Sequence, residues 1–92
     1  MTAPTYQEQV ARVTAAGDRL TAEFGKTFRH VNRPGSLFRL DRAGSFWSSS
    51  SNDEQLCLQV QREPGGPWLD FTRGPLAGWR PYLRRIEEKE EV

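Results

Sequence analysis

A chain of 92 residues carries one domain with room for one core, and 36% hydrophobic residues with a mean hydropathy of -0.73 make that core thin, though short of the extremes that give disorder. Thirteen basic and twelve acidic residues leave a net charge of +1, so no global field draws the protein to a polyanion. One cysteine, Cys57, and one histidine, His30, exclude an internal disulfide and a zinc cluster, so a homodimer or a bound partner becomes a natural source of added stability.

No apolar run approaches the roughly 18 to 20 residues that span a bilayer. The N-terminus lacks the basic stretch and apolar block of a secretory signal. A cytoplasmic protein with no membrane partner is expected.

In chain order, residues 1–4 read as a flexible leader. Thr5 followed by Glu8 has the capping-box spacing, and Tyr6, Val10, Val13, Gly17, Leu20 and Phe24 recur at steps of three and four. One apolar stripe on a helix of about five turns follows. Gly17 lies on the stripe, either as a place where another backbone approaches or as a weak point, and Gly25 is a C-terminal cap in the left-handed conformation.

From Lys26 the period changes to two. Phe28 to Asn32 reads as a strand, Arg33-Pro34-Gly35-Ser36 as a tight turn, Leu37 to Asp41 as the returning strand, and Arg42-Ala43-Gly44 as a further turn into Ser45 to Ser48. Residues 48–54 hold no apolar side chain and read as a mobile loop. Gln55 to Glu63 alternates Leu56, Leu58 and Val60 with Cys57, Gln59 and Gln61, which gives a strand with one apolar face. Pro64-Gly65-Gly66-Pro67 is a turn, Trp68 to Thr72 pairs back, and Leu76 to Glu91 forms a C-terminal helix that Gly78 and Pro81 interrupt and whose end frays over 88–92. The expected fold is therefore α+β: an N-terminal helix, an antiparallel meander of four or five strands and a C-terminal helix, with both helices on one sheet face.

No catalytic constellation is visible. His30 stands alone in a strand, and Cys57 has no histidine near it in sequence, so the chain reads as a non-enzyme without cofactor or metal. Asn52-Asp53-Glu54 lacks the pattern of a calcium loop, and the prolines around Gly65-Gly66 remove amides that a phosphate cradle needs.

Charge is unevenly spread. Lys26 to Ser50 carries five basic residues against Asp41, and Ser51 to Gly74 carries four acidic residues against Arg62 and Arg73. Neighbouring strands of opposite charge either pair across the sheet or leave a charged face for a partner. Phe46 and Trp47 point to opposite faces, so one of them is expected to be exposed as an anchor. Arg29, His30, Arg33, Arg39, Arg42 and Trp47 are the candidate binding residues. They suit a protein-binding module, a small inhibitor or accessory protein of the kind phages and plasmids encode, whose partner presents an acidic or mixed-charge surface. A basic aromatic sheet also suits single-stranded nucleic acid, although no RNP1 pattern is present, and an aromatic face suits a homo-oligomeric structural protein.

Overall fold

The structure is a computed structural model that describes residues 4–86. Helix α1 covers Tyr6–Phe24 and starts as its sequence requires. The Thr5 hydroxyl accepts from the Glu8 amide at 3.2 Å, and the Glu8 carboxylate accepts from the Thr5 amide at 3.3 Å, which satisfies two donors that the first turn leaves open. Gly25 ends the helix at φ 97°, its amide donating to the Thr21 carbonyl.

Five strands follow: β1 (Phe28–His30), β2 (Arg33–Ser48), β3 (Asp53–Gln61), β4 (Trp68–Gly74) and β5 (Leu83–Arg85), with a one-turn helix α2 (Leu76–Trp79) between the last two. They form one antiparallel sheet in the order β4-β3-β2-β1-β5. The fold is α+β, and the meander from β1 to β4 is extended by β5 on its outer edge. Leu20, Phe28, Phe38, Leu56, Leu58 and Leu83 are fully enclosed, joined by Ala16, Val60, Leu76 and Trp79. The alternation read in β3 holds, with Leu56, Leu58 and Val60 inside and Cys57, Gln59 and Gln61 on the other face. Helix α1 packs over β2, β3 and β5, and α2 leans on α1 and β3.

The sequence reading is corrected in three places. Of the C-terminal helix expected over Leu76 to Glu91, the described residues hold one turn, Leu76–Trp79; the chain then extends, and residues 83–85 pair with β1, Arg29 opposite Arg84 and His30 opposite Leu83. Pro81 has no amide to continue the helix, and β1 has an open edge that needs hydrogen-bond partners. The Val31 amide donates to the Tyr82 carbonyl at 2.8 Å just before that pairing. Most of the leader expected over 1–4 and all of the tail over 88–92 lie outside the described residues.

Neither expected turn in the first hairpin region is a turn. His30 pairs with Arg33, so Val31-Asn32 alone turns the chain, and Pro34-Gly35-Ser36 sits in a bulge where two steps along β1 oppose five along β2. A proline without an amide is tolerated at such an irregularity. Likewise Arg42-Ala43-Gly44 is absorbed within β2, where the five steps from Asp41 to Phe46 oppose the two from Cys57 to Gln55. Ser45 fastens this second bulge: its hydroxyl donates to the Asp41 carbonyl at 2.8 Å and accepts from the Cys57 amide at 3.0 Å. The Cys57 thiol donates to the Gly44 carbonyl. A Cβ on Gly44 would lie 2.7 Å from the Asp41 carboxylate, so a larger residue there would have to displace that side chain. The polar run 48–54 closes the β2–β3 hairpin, Ser48 pairing with Asp53 and Asn52 supplying the positive φ of the turn.

Candidate functional site

Only part of the α1 stripe is core. Ala16, Gly17 and Leu20 are buried and Val13 and Phe24 pack against the core, but Tyr6 is 79% and Val10 47% exposed. The cause lies in the sheet. Before the second bulge β2 and β3 offer Phe38, Leu40, Leu56 and Leu58 to the helix; beyond it Trp47 is the large apolar side chain left to meet the first turns. Tyr6, Val10 and Val13 on one wall and Trp47 on the other line an open groove of about 380 Å³. The Arg12 guanidinium lies 5.5 Å over the Trp47 ring, and Arg42, at the other end, is held by Asp18 at 2.8 Å. At Gly17 side chains approach, not another backbone: a Cβ there would sit about 3 Å from Arg42 and Leu40.

The six candidate residues do not share a surface. Arg42 and Trp47 flank the groove. Arg39 points to the opposite face, where it stacks 4.3 Å over Trp68 and donates to Gln59 at 2.8 Å. Arg29 donates to the Ser36 carbonyl, and Arg33 lies over the Phe71 ring at 5.2 Å. His30 is 7% exposed, among the rings of Phe38, Phe71, Trp79 and Tyr82. Burial, with the Arg33 charge beside it, holds its pKa below the usual histidine range. Of the aromatic pair it is Phe46 that is exposed, at 41%, while Trp47 is half-buried under Arg12.

The face bearing Arg39 is electrically balanced. Arg39, Gln59 and Asp70 are aligned across β2, β3 and β4, and so are Asp41, Cys57 and Arg73, with the polarity reversed. Gln59 links the first row, accepting from Arg39 and making a long 3.5 Å contact to Asp70. The basic and acidic strands thus neutralise each other in part across the sheet. Cys57 lies in the second row with its thiol bonded to Gly44, and burial followed by the Asp41 charge pushes its pKa up, which makes it a poor nucleophile. Among the described residues no three His, Cys, Asp or Glu side chains converge as a metal site requires. No described helix is long and apolar enough to cross a membrane.

Sequence reasoning missed Tyr6 and Val10 as surface residues because helical period records a shared face and not what covers it. It also missed Phe71, Trp79 and Tyr82 as neighbours of His30, which come from three separate segments. Comparison with protein-family models, curated proteins and solved structures finds no match to this chain.

Proposed function

We propose that the chain is a non-enzymatic protein-binding module of the cytoplasm, an inhibitor or accessory protein that occludes a surface of its partner. In this reading α1 and α2 share one sheet face, and the first two turns of α1 with Trp47 form the docking groove. The observation that carries it is the exposure of Tyr6 and Val10, one turn apart, opposite Trp47. An amphipathic stripe left open beside a half-buried tryptophan is the form of a recognition groove. Arg12 and Arg42 at its rim fit a partner that presents an apolar residue flanked by carboxylates, the acidic or mixed-charge surface expected from the sequence.

The test is affinity capture with the wild-type chain and with the double variant Tyr6→Glu and Val10→Glu, each with and without nuclease. Both side chains are exposed, so the variant keeps its circular dichroism spectrum. A protein retained by wild type after nuclease, and lost by the variant, supports the reading. Capture that the variant leaves unchanged removes it, and self-association in sedimentation that the variant abolishes assigns the groove to a second copy instead.

A second reading has its own observation. On the Arg39 face two arginine and aromatic pairs stand apart, Arg39 over Trp68 and Arg73 over Phe46 at 5.3 Å, a pattern that stacks single-stranded bases. Asp41 and Asp70 between them oppose phosphates, which is why the protein-binding reading is preferred. Mobility shifts with short oligonucleotides that fade steeply with salt would favour nucleic acid; no shift at low salt would end that reading.

A further inference from the structure

His30 is buried at one side of an open cavity of about 420 Å³ whose walls are the rings of Phe71, Trp79 and Tyr82. The walls are assembled from β4, α2 and the segment before β5. Tyr82 lies nearly parallel to the imidazole, at 12° and 5.6 Å, while Phe71 and Trp79 meet it edge-on at 5.8 and 6.4 Å. Gly74 and Gly78 also line the cavity and put no side chain into it.

The polarity of this cavity follows from one hydrogen bond. The Asn32 amide donates to His30 Nδ1 at 3.1 Å, so Nδ1 is unprotonated and the neutral ring carries its hydrogen on Nε2. Nε2 has no acceptor among the described residues. Trp79 Nε1, a second donor nearby, is already bonded to the Leu56 carbonyl at 3.1 Å. No carboxylate lines the cavity, and the Arg33 guanidinium sits on Phe71, close enough for its charge to act on the imidazole. A ring-walled space of this size, with the His30 Nε2 hydrogen at its side and the Arg33 charge near, suits a ligand that stacks and carries an acceptor.

We propose that this cavity binds a small planar aromatic carboxylate, its ring against Tyr82, Phe71 and Trp79 and its carboxylate accepting from His30 Nε2. The site is separate from the α1 groove, and neither reading depends on the other.

Because His30 is the only histidine in the chain, its imidazole nitrogen resonances report on the cavity alone. The protein is titrated at pH 7 with 2-naphthoate and, separately, with 2-naphthylmethylammonium, which has the same ring but no acceptor and the opposite charge. The expected result is a saturable shift of the Nε2 signal with naphthoate and binding at least tenfold weaker for the ammonium. Gly78→Leu adds a side chain beside the cavity from an exposed position of α2 where a Cβ meets Pro75 at an ordinary 3.5 Å, so it keeps the fold and abolishes the naphthoate shift. His30→Phe, wherever its spectrum shows it folded, narrows the preference for naphthoate over the ammonium to what the Arg33 charge alone leaves. No saturable shift with naphthoate, equal binding of the two probes, or a shift that survives Gly78→Leu overturns the proposal.

Discussion

His30 shows how much one residue's meaning depends on what surrounds it. In sequence it stands in a basic strand and reads as part of a surface; in the fold it is enclosed by rings and accepts a backbone hydrogen bond that protonation of Nδ1 would break. Its pKa is lowered in the folded state, so the unfolded chain, with a value of about 6.5, binds the proton first. The stability that neutral His30 contributes is therefore complete above about pH 6.5 and is lost as pH falls through that value toward the folded pKa. Glu54 acts in the opposite sense, because burial and the hydrogen bond with Asp53 raise its carboxyl above the usual range. The informative quantity is the difference between wild type and His30→Phe: urea midpoints measured from pH 8 to pH 5 should fall more steeply for wild type. Parallel curves for the two proteins would show that the imidazole is protonated as easily folded as unfolded.

Ser45 makes a second point at this scale. Its hydroxyl bridges both sides of the bulge in β2, so Ser45→Ala removes two hydrogen bonds and leaves the Cys57 amide without its acceptor. A loss of about 1 to 3 kcal/mol is expected in urea denaturation. Nothing in the sequence marks this serine among the six from Ser36 to Ser51, since its partners are set by the register.

Among the elements, those whose ends are written locally were legible. The start of α1 depends on Thr5 and Glu8 three residues apart, and its end on Gly25. Thr5→Ala should lower stability by about 1 kcal/mol, read as a shift in thermal midpoint. The alternation in β3 and the turn at Pro64 to Pro67 were equally local. The first hairpin region was not: Pro-Gly and Ala-Gly signals usually mean turns, but here both are bulges, the first opposite β1 and the second where β3 pairs β2 on either side of it. The C-terminal segment went the same way. Its propensity suits a helix on both sides of Pro81, and the open edge of β1 recruits it as a strand. Pro81→Ala is expected to leave β5 in place, checked by retained amide protection at residues 83–85, since the pairing with β1 holds it there.

At the scale of the whole molecule the thin core is the dominant fact. Six large side chains are fully enclosed, and one of them, Phe38, meets the His30 and Phe71 rings. Phe38→Ala should cost about 3 to 5 kcal/mol, comparable to the whole stability of a domain this small, and so should appear as an unfolded chain in circular dichroism at 25 °C. A folded variant with a slightly lowered midpoint would mean that the core is better supported than its size suggests.

By itself the sequence determined the class of fold, the position of α1 with its caps, the inward residues of β3 and the small net charge. Each follows from interactions within a few residues or from composition. The tertiary structure decided the rest: that α1 outruns the apolar part of the sheet, that Arg39 and Arg42 face opposite ways across a bulge, and that rings from three distant segments enclose His30. These depend on register and on contacts between elements far apart in the chain. A one-dimensional pattern records which residues share a face, and only the packing of elements decides whether that face is covered.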